Sequence, residues 1–332
     1  MTGVRVHIAD RVEDLFGLAG VESLLSDQWL CELIRLDRMR RPGERYDYLV
    51  GSDAAGDTLG VLALYPAGAP SNAFDTGSGA GTAGLLCGGF GNLPNAFAVR
   101  PDRPDVVAAL LSSARSIAAA RGLGFLSFPH LDDRRLAAVR PHLPGDCGVT
   151  VNHEGVLELG FDSFDDYLAS LPHDRRHRVR RELRDFAESG VEVREVDLAA
   201  SIGELTPLLG QVFTKYGKPQ PAHELGFYLE SIAAAMGGHG TTLAAVDGER
   251  VIAFRVLWAE DGQWRGRCWG ADYTNPVLRR GMVYFNLVFY QTILRAIGHT
   301  KRLVFGTGSM QAKTYRGAWA RPLTTLVSPM AA

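Results

Sequence analysis

Cysteine is scarce in this sequence: Cys31, Cys87, Cys147 and Cys268 are the only four in 332 residues, and no two of them form a C-x-x-C pair. That scatter argues against a zinc knuckle, an iron–sulfur centre or a disulfide framework. Long apolar runs are missing as well. No stretch reaches the ~18 consecutive apolar residues of a membrane span, and the first residues carry Asp10, Glu13 and Asp14 where a signal peptide would need an apolar run. A cytoplasmic protein without a membrane partner is expected. Neither sign of charge dominates, with 35 Lys and Arg against 37 Asp and Glu and a net charge of -2. Attraction to nucleic acid must therefore come from a local patch. P-loop, H-E-x-x-H and G-x-S-x-G motifs are absent. The nine histidines are scattered, and His153-Glu154 lacks a second ligand pair, so no metal is expected.

What is present is an ordinary folded composition, 46% hydrophobic and 22% charged, in a chain long enough for two domains. The first half reads as a strand at Val4 to Ile8, a helix near Asp14 to Leu25, and strands at Tyr46 to Val50 and Leu59 to Tyr65. An alanine-rich helix ending near Arg121 and a strand at Leu123 to Phe128 follow. Gly79-Ala-Gly-Thr-Ala-Gly84 matches G-x-G-x-x-G, but neither a strand nor a helix flanks it, which removes a dinucleotide site. The surrounding segment Gly77 to Gly91 reads as a candidate lid. The second half repeats the order. Strands Thr241 to Val246 and Val251 to Trp258 flank the turn Asp247-Gly-Glu-Arg250. Then come a strand Trp264 to Ala271, Pro276, a long helix Gly281 to Ile297 and a strand Arg302 to Phe305. This is α/β architecture in two units, residues 1–160 and 161–332, related by element order rather than residue identity.

Between the halves, Pro172 suits a helix start, Val179, Leu183 and Phe186 recur at helical spacing, and Gly190 is a stop. The resulting helix, 172–189, is strongly basic. Arg175, Arg176, Arg178, Arg180, Arg181 and Arg184 stand against Asp174, Glu182 and Asp185, and Arg176, Arg180 and Arg184 share one face. Arginine throughout favours bidentate phosphate contact, with a merely solvated helix face as the alternative.

Four segments in a fixed order resemble the FemAB-like branch of the GNAT acyltransferase superfamily. They are Leu171-Pro-His-Asp-Arg-Arg-His-Arg-Val-Arg-Arg-Glu-Leu-Arg184 with Gly190-Val-Glu-Val193, then Arg265-Gly-Arg-Cys-Trp-Gly270. Tyr284-Phe-Asn-Leu-Val-Phe-Tyr-Gln291 follows, and then Phe305-Gly-Thr-Gly-Ser-Met-Gln-Ala-Lys313 with Arg316-Gly317. The resemblance spans about Phe161 to Pro329. It implies two GNAT-like domains, each a mixed central sheet flanked by helices, and a donor that is either aminoacyl-tRNA or acyl-CoA, with no tightly bound cofactor. Where relatives often carry His and Glu in the long-helix segment, this chain has Tyr284 and Asn286, so no acid or base transfers to those positions.

Candidate chemistry then falls in several places. Arg279, Arg280 and Gly281, at a turn entering a helix, are candidates for a donor phosphate, although Met282 and Val283 would crowd the backbone cradle of a CoA site. Arg316 and Lys313, three apart after a glycine-rich turn, could clamp the donor, and Lys313 could polarise the reacting carbonyl. Asp272 and Tyr273 are candidates for accepting a proton, with ordinary turn chemistry as the alternative reading. Arg175, Arg176, Arg180, Arg181 and Arg184 are candidates for tRNA contact. Trp269, Asn275, Tyr284, Asn286 and Tyr290 are expected to line the substrate pocket. The expected activity is aminoacyl transfer from aminoacyl-tRNA to an amine or hydroxyl of a small metabolite or peptide. Acyl-CoA-dependent N-acylation and a non-catalytic GNAT-fold binding module are the alternatives.

Overall fold

The computed structural model describes residues 3–21, 24, 33–34, 36–38, 40, 42–67, 83–89, 95–260 and 262–330. They fall into two compact units, one holding residues 1–153 and 322–332, the other residues 154–321. The last strand, Trp319–Pro329, thus ends in the first unit.

In the first unit, strands Arg5–Ala9, Asp47–Ser52, Thr58–Pro66 and Gly84–Cys87 pair antiparallel in that order. Gly84–Cys87 then pairs parallel with Phe125–Leu131, which pairs antiparallel with residues 324–329. Thr58–Pro66 is buried along almost its whole length. It is covered on both faces, as an unbroken apolar strand requires. One face packs Leu62 and Leu64 against Val106, Leu110 and Ala114 of helix Pro104–Ala120. The other packs Val61, Ala63 and Tyr65 with Tyr46 and Tyr48. Gly51 and Gly60 let the helix lie close, since a Cβ at Gly60 would stand 2.9 Å from Val106 Cγ1. The helix expected from Asp14 to Leu25 is absent over the described part of that range. A 3-10 turn, Val12–Leu15, gives way to turns through residue 21, because Gly17 and Gly20, the latter at φ 83°, end the helical run. Most of the candidate lid lies outside the described residues, and Gly84–Cys87 within it is a strand.

The second unit orders its strands as residues 155–158, Arg302–Gly306, Gln263–Ala271, Arg250–Glu260, Gly240–Asp247 and Glu192–Val196. All neighbours are antiparallel except Gln263–Ala271 with Arg302–Gly306. The hairpin at Asp247-Gly-Glu-Arg250 forms with Gly248 at φ 61°. The basic helix runs His173–Glu188 with Pro172 at its N-cap, and Gly190 follows at φ 76°. The long helix is Val283–Phe285, a π turn at Asn286–Tyr290, and Gln291–Ala296. Helices Leu198–Lys215 and Ala222–Met236 complete the unit. Each unit is therefore a mixed sheet flanked by helices, the GNAT-like fold.

Candidate active site

In the second unit the parallel strands Gln263–Ala271 and Arg302–Gly306 pair only at Gln263–Arg302, Trp264–Leu303 and Arg265–Val304, although both run on. Where they part stand two glycines, Gly266 on one strand and Gly306 on the other, and each has a cation beside it. Arg255 reaches across from the neighbouring strand, where it is paired with Trp269. Its Nη2 lies 1.9 Å from where a Cβ on Gly266 would sit, so only glycine admits the guanidinium there. Lys313, from the short helix Met310–Tyr315, donates from Nζ to the Gly306 carbonyl at 2.5 Å. Its stem occupies the space that a side chain at Gly155 would need, with Cδ 2.5 Å from that Cβ position.

Both cations are buried, Arg255 at 5% exposure and Lys313 at 3%. Burial pulls the Lys313 ammonium down to about 8, helped by the neighbouring Arg255 charge and opposed by Glu154. Burial likewise lowers Arg255, to about 10, where the Tyr284 and Cys268 groups act in the opposite direction. Tyr284 is raised by burial, which outweighs Arg255. Its ring meets Trp269 edge-on at 5.1 Å. Trp269 and Tyr284 thus pack together beside Arg255, which with Lys313 stands at the parting strands.

Alongside lies a closed ionic network. Glu182, on the buried side of the basic helix, receives Arg316 Nη2 at 2.5 Å, Arg178 Nε at 3.0 Å and a short bond from the Tyr290 hydroxyl. Arg316 also donates from Nε to Tyr290 Oη at 2.8 Å and from Nη1 to the Ala312 carbonyl at 3.0 Å. The Phe285 ring stacks beneath its guanidinium, 4.0 Å from the ring centre. Asn286 Nδ2 donates to the Glu182 and Met282 carbonyls, both at 3.1 Å. The π turn at Asn286–Tyr290 is where this network enters the long helix, and such turns commonly form where a side chain must be re-aimed. Every nitrogen of Arg316 is engaged and the residue is 3% exposed, so it faces this network and not a donor phosphate. Asn286 and Tyr290, expected in the pocket, are members of the same network.

The turn after strand Gln263–Ala271 places Asp272, Tyr273 and Asn275. Asp272 is fully buried and accepts from Thr274 N at 3.0 Å, Thr274 Oγ1 at 2.5 Å and Gln211 Nε2 at 3.2 Å, with Arg250 Nη2 at 2.7 Å. Burial would raise its carboxyl, but the Thr274 and Gln211 hydrogen bonds, with Arg250, hold it below the usual range. A carboxylate so occupied is a poor proton acceptor and a good turn anchor. Tyr273 donates its amide to Gln211 Oε1 at 2.8 Å and carries Lys215 Nζ 3.9 Å from its ring centre. An open groove beside it is lined by Pro207, Gly210, Gln211, Thr214 and Lys215. Asn275 caps the short helix Pro276–Arg280 by accepting from Val277 N at 2.9 Å.

Arg279 and Arg280 are exposed, while Gly281 is buried. The Gly281 amide is bonded to the Val277 carbonyl at 2.8 Å, and a Cβ there would meet Ser189 Cβ at 2.8 Å. Gly281 is therefore required by packing on the end of the basic helix. On that helix Arg175 donates to the Thr314 carbonyl at 2.9 Å and, with Arg178, stacks on Tyr315. Arg180, Arg181 and Arg184 are exposed and Arg176 half-buried, and among the described residues none of the four has an ion-pair partner.

Sequence reasoning passed over three residues. Glu182 resembled one more counterion in a charge run, yet its spacing from Val179 and Phe186 puts it on the buried stripe. Glu154 binds Arg265 Nη1 at 2.7 Å and Arg321 Nε at 2.9 Å. Those two charges hold its carboxyl low against the upward pull of burial. Arg255 was the most legible, a lone charge in the apolar strand Val251-Ile-Ala-Phe-Arg-Val-Leu-Trp258.

With the geometry in hand, comparison with known proteins places the chain. A family model described as FemAB-like, peptidoglycan biosynthesis/recognition, matches residues 97–327, well over half of the sequence. The chain belongs to the FemAB-like family. Among solved structures it is similar to FemX, with a TM-score of 0.57 and 12% identity over 97% of this chain and 96% of that one. It is also similar to a tandem GNAT protein from the clavulanic acid biosynthesis pathway, with a TM-score of 0.56 and 12% identity over 99% of both chains. L-PGS from Bacillus licheniformis gives a TM-score of 0.55 and 11% identity over 88% of this chain and 85% of that one. At these identities the likeness is one of fold. No curated protein sequence matches significantly. Among the described residues, no group of three or more His, Cys, Asp or Glu could hold a metal ion, and no helix is long and apolar enough to cross a membrane.

Proposed function

We propose that this FemAB-like protein is an acyltransferase that moves an aminoacyl group from aminoacyl-tRNA to an amine or hydroxyl of a small metabolite or peptide. The observation that carries the reading is Lys313, buried at the parting of the two parallel strands with its ammonium lowered to about 8. Near that pH amine and ammonium coexist, which is the condition for an efficient proton shuttle. In the reaction the acceptor nitrogen attacks the ester carbonyl, a carbon–nitrogen bond forms, and a tetrahedral oxyanion results. Lys313 takes the proton from the attacking nitrogen and returns it to the ribose oxygen as the carbon–oxygen bond breaks. The products are an amide and a tRNA with a free hydroxyl. The ester is already activated, so positioning and charge stabilisation supply most of what remains.

For the donor, Arg176, Arg180 and Arg184, which have no ion-pair partner among the described residues, offer one face of guanidinium groups to an RNA backbone, with Arg181 beside it. Asp272 and Tyr273 shape the turn beside the site in this reading and do not carry protons. Acyl-CoA is the second reading, favoured by exposed Arg279 and Arg280 just before the long helix, which begins without a side-chain cap. The deciding experiment incubates the protein with total aminoacyl-tRNA and, separately, with a panel of acyl-CoAs. Deacylation of tRNA alone supports the proposal, consumption of acyl-CoA alone replaces it with the second reading, and inertness toward both contradicts transferase activity.

A further inference from the structure

We infer that the side-on edge of Arg255 is the seat of a substrate oxyanion, a carboxylate or phosphate group held where the two parallel strands part. This deepens the transferase reading of that site, and its test involves no turnover, so the two can fail separately.

The observation is an orphaned fork. Nε and Nη2 of Arg255 are both buried and neither has a hydrogen-bond partner. These two nitrogens form one edge of the guanidinium, the edge that grips a carboxylate or phosphate through two parallel bonds. A buried charge without a partner is costly, and native interiors seldom leave one uncompensated. The same unit shows what compensation looks like, because Arg265 has Glu154 at 2.7 Å and Arg316 has Glu182 at 2.5 Å. Among the described residues no carboxylate comes within ion-pair reach of Arg255. Glu154, the acid that acts on Lys313, is occupied by Arg265 and Arg321.

The position fits a ligand more than a fold contact. Gly266, whose missing side chain admits the guanidinium, is the first residue beyond the last paired position of the parting strands. Lys313 stands at Gly306 on the other strand, so an oxyanion entering there meets positive charge from both sides. Electrostatic preorganisation of this kind is expensive for the empty protein and is repaid on binding. The chemistry recognised is the anionic group itself. It could belong to the acceptor, as a carboxylate, or to the donor, as a phosphate.

The test is thermal unfolding of the full chain in acetate or inorganic phosphate against chloride at matched ionic strength, for wild type, R255M, R255K and G266A. Wild type should show a saturable rise in Tm of about 2 °C or more in at least one of the two anions. R255M should lose that rise while being at least as stable as wild type in chloride, because it removes an unpaired charge and keeps most of the stem. R255K should retain part of the response. G266A, which displaces the guanidinium but leaves it in the protein, should weaken anion affinity about tenfold or more. A response to acetate alone assigns the site to a carboxylate, a response to phosphate alone to a phosphate, and either supports the inference. An equal response in R255M and G266A, no response in wild type, or an R255M protein that is less stable in chloride would each overturn it.

Discussion

Two buried arginines of the second unit, Arg316 and Arg255, differ in nearly everything except burial. Arg316 donates to Glu182, Tyr290 and Ala312 and rests on the Phe285 ring. Arg255 has two orphan nitrogens and a neighbouring Lys313 of the same sign. The first arrangement ties the basic helix, the π turn and the helix Met310–Tyr315 into one scaffold. The second is electrostatically unfinished, and it lies where the strands open. A closed network supports the fold, whereas an open one is poised for something that is not part of the chain.

The contrast is broken most severely by removing Glu182. E182A would leave Arg316 buried without its counterion, and the expected cost is about 3–5 kcal/mol, measured by urea unfolding. An effect below about 1 kcal/mol would mean the network is not what holds the helix. Next in size is K313M, which should move stability the other way. The folded-state value of Lys313 lies near 8 against 10.5 for the free side chain. The unfolded chain therefore binds more protons between those values, and wild-type stability rises as pH climbs through that window. Below it the full penalty, about 3 kcal/mol, is present. K313M should thus exceed wild type in stability at neutral pH, with the difference shrinking as pH approaches 10.5. A gap that does not change with pH would contradict the depressed lysine. A smaller loss, about 1–3 kcal/mol, is expected for G281A, whose new Cβ would stand 2.8 Å from Ser189 Cβ and 3.1 Å from the Val277 carbonyl. Unchanged stability with weakened donor binding would return Gly281 to the role of a phosphate cradle. The least effect on stability should come from R176Q/R180Q/R184Q, within about 0.5 kcal/mol per site. Its signature is instead the salt dependence of tRNA binding, which should flatten by a slope of about 2 to 3 if all three track phosphates. Identical slopes in mutant and wild type would leave this face without a role.

The sequence displayed what local chemistry controls. Asp247-Gly announced its hairpin, Pro172 and Gly190 bracketed the basic helix, and the apolar run Val251 to Trp258 marked a strand. Gly17 and Gly20, inside the helix expected from Asp14 to Leu25, are the local signal against it. Between Gly190 and Thr241, Leu198, Ile202, Leu205, Leu209 and Val212 recur at helical spacing, a signal the expected elements left unused, and the segment holds helices Leu198–Lys215 and Ala222–Met236. Of the site, Lys313 and Tyr284 were visible as chemically able residues. Their convergence was not, because it depends on a register that ends at Arg265 and Val304. Arg255 was legible as an odd residue in an apolar strand, yet its lack of a partner is a property of packing and cannot be read along the chain. The reverse holds for Arg316, whose exposed-looking setting in Tyr315-Arg-Gly317 conceals a fully enclosed guanidinium.

The central claim is that Lys313, and not the closed network or the Asp272 turn, handles the protons of transfer. It is tested most directly by the pH dependence of kcat/KM for the transferred donor in wild type and K313M. Wild type should show a rising limb with an apparent value of about 8. K313M should lose that limb together with about 10²–10⁴ of the rate, while donor binding persists. A wild-type profile that is flat through that range, or a K313M protein that keeps the same limb and rate, would contradict the account.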